Sequence, residues 1–318
     1  MSFLTPAQTS FLQTVNTDIL ADHLADKRSA NTKRAYAKSL RDFFVFASGE
    51  DPNPKLVGEF LSLDRSSAIA LVLSYKGHLI SRNLSEATVN SRLAAIKSLV
   101  SHAQKVGKCQ WSLEEVRGEK VKAYRDTTGI DQDAFKKILS LPDRSTQKGK
   151  RDYALLLLLW SNVPRRDEIV KTDIGDFDPD TRTLSILGKG RGTQRELISL
   201  SGSTVEAIAD WLKTRHNLID TDPLFVGLSN VSRGRRLTGD GLSHIVEALS
   251  AESGLTKRFT PHRCRHSGIT AALEATGGDV RKVQKLSRHS SLQTLLIYDD
   301  ARSNTQGEVT DLLSDLIG

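Results

Sequence analysis

Reactions at phosphorus call for a particular set of side chains, and the C-terminal half of this chain carries one: Arg165, Lys189, His262, Arg265, His289 and, last, Tyr298. The densest stretch reads Thr260-Pro261-His262-Arg263-Cys264-Arg265-His266, and further on Ser287-Arg288-His289 leads to Leu295-Leu296-Ile297-Tyr298. Guanidinium groups are always charged and grip phosphate through two parallel hydrogen bonds. Arg165 and Arg265 could therefore clamp a phosphodiester and stabilise charge as it builds on the non-bridging oxygens. Lys189 lies between Gly188 and Gly190, where a mobile ammonium could protonate a leaving oxygen. His262 could take the tyrosine proton or bond a phosphate oxygen, and His289 would donate a second hydrogen bond. Tyr298 is the nucleophile that could hold the phosphate covalently. A phosphotyrosyl link conserves the energy of the broken bond, so no metal and no cofactor is expected. Singly, each residue has a plainer reading: Tyr298 as a core aromatic, His262 as a helix cap, Lys189 as a solvated turn. Their order and intervals together make the case.

These residues need elements to hold them. The chain of 318 residues is long enough for two domains with separate cores. A net charge of +7 and a pI near 9.3 favour a polyanionic partner, nucleic acid above all. Two cysteines, Cys109 and Cys264, supply neither a disulfide framework nor a thiolate metal site. The N-terminus lacks the pattern of a signal peptide, and the apolar run from Ala154 to Trp160 is far short of the ~20 residues that span a bilayer. A cytoplasmic, nucleoid-associated protein is expected, with no membrane contact.

Residues 1–16 are expected to be loosely ordered. Helical periodicity then marks Asn31 to Ala47, Ala68 to Ile80 and Ser85 to Val106, with Gly49 and Pro52 as stop signals after the first. Residues 17–118 thus read as a helical bundle, and the polar, basic stretch 119–130 as a linker. Asp131 to Leu141 begins the second domain, 131–318, in which helices are expected at Lys150 to Ser161, Ser203 to Thr214, Gly239 to Ser250, His266 to Ala275 and Val280 to Leu286. Arg182 to Leu187 and Glu196 to Leu200 read as a β-hairpin with Lys189 in its turn. Trp111, Trp160 and Trp211 are expected in the core.

The constellation resembles the tyrosine site-specific recombinases, the lambda-integrase family with its Xer and Cre types. Arg165-Arg166-Asp167-Glu168 is similar to the family's Arg-x-x-Glu, Gly188-Lys189-Gly190 to its lysine turn, and His262-Arg263-Cys264-Arg265-His266 to its His-x-x-Arg-His box. The interval from His289 to Tyr298 is also the family's. Upstream, Thr32, Tyr36, Leu40 and Phe43, then Ser85, Thr88, Arg92 and Leu93, resemble its helical core-binding domain. The resemblance implies a mainly α fold with a small antiparallel β-sheet, in which the core-binding and catalytic domains form a two-domain DNA clamp. It implies recombination at a specific double-stranded DNA site through a 3′-phosphotyrosine, with Glu168 supporting the basic cluster. Candidate DNA contacts are Lys33, Arg34, Lys38, Arg41 and Arg92 in the first domain, Lys120 and Lys122 in the linker, and Arg191, Arg233, Arg235 and Arg236 in the second.

Two departures from the family pattern stand out. Val163-Pro164 replaces Gly-Leu before Arg165, with Pro164 expected at the first position of a helix, where its missing N–H is harmless. Arg288 replaces the glycine before His289, where it could shift that histidine or add a phosphate contact. In the tail, about 307–317, Val309, Leu312, Leu313, Leu316 and Ile317 form an apolar stripe. In the family such a helix docks on a neighbouring protomer, which implies a tetramer on two duplexes; accessory proteins are compatible with the sequence. Rival readings are a type IB topoisomerase, which would relax supercoils as a monomer, and a silent DNA-binding protein on the same scaffold.

Overall fold

The computed structural model describes residues 18–121, 129–188, 194–302 and 305–316. Its contacts divide the chain into two compact units, Met1–Tyr124 and Arg125–Gly318. The first unit is all helical: α1 (Ile19–Ala25), α2 (Ala30–Ser48), α3 (Pro54–Leu61), α4 (Arg65–Ser81) and α5 (Glu86–Lys105). Each begins where a short polar side chain accepts a bond from an otherwise orphaned N–H, as Ser29 does from Thr32, Asp64 from Ser67 and Ser85 from Thr88. Such a cap is worth about 1 kcal/mol. Gly49 ends α2 in the left-handed region at φ +80°. Their apolar faces meet in a core in which Phe43 is ringed edge-on by Phe44, Phe60 and Tyr75, with centroids 5.0–5.3 Å away. Trp111 joins this core and donates from Nε1 to the Leu63 carbonyl at 2.8 Å.

Two short helices fall outside the sequence expectation. Pro52 reads as a stop, yet Asn53 and Pro54 are a start: Asn53 caps α3 through Leu56 N–H, and Pro54 occupies its first turn. Helix α1 is too brief to show a full apolar repeat.

The second unit carries α6 (Gln132–Ser140), α7 (Gln147–Ser161), α8 (Arg166–Val170), β1 (Phe177–Asp178), β2 (Thr183–Leu187), β3 (Arg195–Ser199), α9 (Gly202–Leu212), α10 (Gly239–Glu252), α11 (Pro261–Ala275), α12 (Val280–Ser287), α13 (Gln293–Arg302) and α14 (Thr305–Asp315). The strands form one antiparallel sheet in the order β1-β2-β3, with Thr183 opposite Ser199 and Leu187 opposite Arg195. Leu184, Ile186 and Ile198 face a core built on α7, whose Leu155, Leu156, Leu158 and Leu159 are fully buried. Trp211 is buried in that core and bonds the Leu224 carbonyl, while the half-buried Trp160 stacks on Phe135 at 4.1 Å. The fold is mainly α with one small antiparallel sheet. No described helix is long and apolar enough to cross a membrane.

Candidate active site

Four segments of the second unit meet around Tyr298. The first is the turn from α7 into α8. Glu168, buried at 2% exposure, accepts from the backbone N–H of Arg165 and from its Nη1, both at 2.8 Å. That pairing fixes the Arg165 side chain, which remains part-exposed. Pro164 precedes the capping residue Arg165 and lies two residues before the helix opens at Arg166, so it does not occupy the expected first helical position. Val163 has φ +41°, a left-handed conformation that a β-branched side chain rarely adopts. It is nonetheless fully buried, in a small cluster with Ile269, Leu273, Val283, Leu295 and Tyr298.

The second segment is α11. Its start at Pro261, capped by Thr260, lies five residues ahead of the expected His266. Because the helix begins there, His262 and His266 are one turn apart on one face. Their Nε2 atoms are 2.8 Å apart, a distance that requires a proton between them. The His266 ring stacks on Tyr298 with centroids 5.0 Å apart. Arg265 is buried, and its guanidinium donates to the main-chain carbonyls of Val163 and Ser287. A guanidinium has five N–H donors, so these two carbonyls use only part of its capacity. Burial, aided by the charges of Arg165 and Arg288, lowers the Arg265 pKa to about 10. Three guanidinium groups, of Arg165, Arg265 and Arg288, stand around the single carboxylate of Glu168, a balance that favours an anionic ligand. Ser267, next on α11, accepts from the Ile130 N–H at 2.9 Å and ties the start of the unit to this helix.

The third segment is the turn after α12. Arg288 ends the helix in the left-handed region, φ +55°. Its guanidinium points inward to Glu168 at 2.9 Å, with carbonyl contacts at Leu286 and Asn162. Of the two expectations for this residue, the phosphate contact is replaced by an internal ion pair. Burial opposes ionisation of Glu168, but the positive charge of Arg288 and the bonds from Arg165 outweigh it and hold the carboxyl below its ordinary range. His289 is oriented by Ser287 Oγ at its Nδ1, 3.0 Å, and its Nε2 lies 3.4 Å from Arg265. Helix α13 is the fourth segment. Tyr298 sits on it at 3% exposure, with its ring 6.2 Å from that of His289.

The structure therefore brings Arg165, Glu168, His262, Arg265, His289 and Tyr298 together. Lys189 and Arg191, in the β2–β3 connection, and Lys122 lie outside the described residues. Among the other candidates, Lys33, Arg34, Lys38 and Arg41 are exposed on α2, with Arg34 bonded to Asn31 and Arg41 paired with Asp51. Arg92 is largely buried and pairs with Asp42. Lys120, Arg233, Arg235 and Arg236 are exposed, and Arg236 also donates to the carbonyls of Val170 and Thr172 and pairs with Asp173. From sequence, His266 carries no role beyond its place in the His-x-x-Arg-His box, and Arg288 is expected to shift His289 or contact phosphate; both side chains are part of the site. Thr260-Pro261, a cap followed by a first-turn proline, was the signal that would have placed His266.

The chain matches the phage integrase family over residues 129–305, and it belongs to that family, the tyrosine recombinases. It is 48% identical over 306 residues to a tyrosine recombinase of Synechocystis sp., covering 96% of this chain and 97% of that one. A tyrosine recombinase of Synechococcus elongatus is 49% identical, with 95% and 94% covered. Tyrosine recombinase XerC of Pelobacter propionicus is 29% identical over 91% of each chain. In fold, the chain is similar to XerH site-specific recombinase bound to its difH substrate, with TM-score 0.66, 22% identity, and 96% and 87% of the chains covered. A lambda integrase dimer bound to a core site gives TM-score 0.62 at 15% identity, covering 93% and 96%. The protein is accordingly a DNA strand-transferring enzyme.

Proposed function

We propose that the protein cleaves and rejoins DNA at a specific site through a 3′-phosphotyrosine on Tyr298. The observation that carries this reading is the convergence of Arg165, Arg265, His262 and His289 around one buried tyrosine. Arg165, aimed by Glu168, and Arg265 receive the two non-bridging oxygens of the scissile phosphate and stabilise its pentacoordinate state. The Tyr298 oxygen attacks phosphorus as its proton passes to the His262–His266 pair. The bond from phosphorus to the 5′ oxygen breaks, and Lys189 supplies the proton that makes the leaving 5′-hydroxyl. Attack by a 5′-hydroxyl from another strand reverses these steps and frees the tyrosine. To reach phosphorus Tyr298 must leave its buried seat, so strand cleavage requires α13 to move.

The first unit supplies further DNA contacts from the exposed basic side chains of α2, together with Lys120 and, in the second unit, Arg233 and Arg235. Val309, Leu312 and Leu313 on α14 and Leu316 just after it are exposed, and Ile317 lies outside the described residues. That apolar face supports docking in trans on the next protomer of a tetramer assembled on two duplexes, working in the cytoplasm on the nucleoid. The test is covalent trapping on DNA nicked just downstream of the scissile phosphate, so that the short 5′-hydroxyl fragment is lost. A protein–DNA adduct that forms in chelator and is missing in Tyr298→Phe supports the reading. Tight binding of the same DNA with no adduct overturns it.

A further inference from the structure

Two arginines bridge the same pair of chain segments in neighbouring registers. Arg265 donates to the carbonyls of Val163 and Ser287, and Arg288 donates to those of Asn162 and Leu286, the residues immediately before. Arg288 makes a further link across to Glu168, from Nη2 to Oε2, the oxygen that also accepts the Arg165 backbone N–H. Its side chain is 5% exposed and its partner's 2%, so neither is held in place by solvent. Arg288 also adopts a left-handed backbone, which costs any residue but glycine, and its internal bonds offset that strain. The residue that follows it is His289.

From this geometry we infer that Arg288 is a positioning residue for strand cleavage: through Glu168 it sets the aim of Arg165, and through its own turn it sets the place of His289. The inference rests on the proposed phosphotyrosine chemistry. Arg288 does not touch the phosphate. It fixes the distance between the residue 162–168 segment, which carries one phosphate ligand, and the residue 286–289 segment, which carries another. Without it, Arg165 is the one cationic partner left to Glu168 among the described residues, and Glu168 is drawn toward it. That pull diverts guanidinium donors from the phosphate and loosens the turn before His289. A defect in the attacking geometry lowers the cleavage rate while leaving the affinity for DNA unchanged, because the exposed basic residues that supply affinity are elsewhere.

The experiment is single-turnover cleavage of the nicked substrate by wild type, Arg288→Lys and Arg288→Met, with each rate taken on the folded, DNA-saturated protein. The expected order is wild type above Arg288→Lys above Arg288→Met. Arg288→Met should be at least tenfold slower than wild type, and DNA affinities should agree within threefold. Lysine restores part of the rate because it keeps the charge opposite Glu168 without reaching both carbonyls. Equal rates for all three, or a loss in Arg288→Met explained wholly by weaker DNA binding, overturn the inference. Should Arg288→Met not fold, Arg288→Lys decides: a wild-type rate there overturns the inference, and a severalfold loss at unchanged affinity supports it. A wild-type protein that forms no adduct at all marks failure of the phosphotyrosine reading itself, which is a separate result.

Discussion

Replacing Glu168 by glutamine should damage both stability and catalysis, and the size of the effect follows from its surroundings. The carboxylate is buried and accepts three bonds at 2.8–2.9 Å from Arg165 and Arg288. Glutamine has one acceptor oxygen, so its amide N–H groups would face at least one of those donors. Removing one partner from a buried ion pair costs about 3–5 kcal/mol. At about 2–4 °C per kcal/mol for a unit of this size, the melting temperature should fall by roughly 6–20 °C at pH 7. The effect depends on pH with a definite sign. The folded-state pKa of Glu168 lies below its ordinary value of 4.5, so its stabilisation is complete above that value and is lost as pH falls through the folded pKa. The stability gap between wild type and Glu168→Gln should therefore be widest near neutrality and narrow below about pH 4.5. Chemical denaturation at a series of pH values measures it. A gap below about 1 kcal/mol at pH 7, or one that widens in acid, would refute the reasoning.

Other consequences can be measured with the same protein. A Cβ at Gly268 would lie 2.6 Å from Val163 Cγ1 and 2.9 Å from the Trp160 carbonyl. Gly268→Ala should therefore lower stability by about 1–3 kcal/mol in urea titrations despite alanine's better helix propensity. His23 is buried and bonded to Ser98, and burial, aided by Lys27, lowers its pKa from 6.5 to about 4. Its protonation favours unfolding, so its contribution is complete above pH 6.5 and falls, by up to about 1.4 kcal/mol per pH unit, down to pH 4. His23→Leu should remove that slope. Arg236→Ala should lose about 1 kcal/mol of stability through its bonds to Val170 and Thr172. Arg235→Ala should instead leave the melting curve unchanged and reduce the salt dependence of DNA binding by about one phosphate contact.

Much of this organisation is legible in the sequence, and the gaps have physical causes. Helices α2, α4 and α5 announce themselves through cap residues and apolar repeats, because their buried positions are filled by hydrophobic side chains. Helix α11 does not, since His262, Arg265 and His266 take the places of apolar residues in its first turns. Periodicity therefore finds this helix only from His266 on. Val163 and Arg288 conceal the structure in another way. Both occupy left-handed backbone positions that favour glycine, so neither residue type signals the conformation it adopts. The inward direction of Arg288 depends on Glu168, which is distant in sequence and adjacent only in the fold. The types and order of the residues proposed to bind phosphate are readable without coordinates. The Nε2-to-Nε2 contact of His262 with His266, and the stacking of His266 on Tyr298, needed them.

The central claim is that Tyr298 carries the DNA during strand exchange. The most direct measurement is to trap the adduct on nicked substrate, digest protein and DNA, and locate the nucleotide-bearing residue by peptide mass spectrometry. The account predicts a nucleotide joined through its 3′ phosphate to Tyr298 and to no other residue. A nucleotide on a different side chain, or a digest without any modified peptide from protein that has cut its DNA, would contradict it.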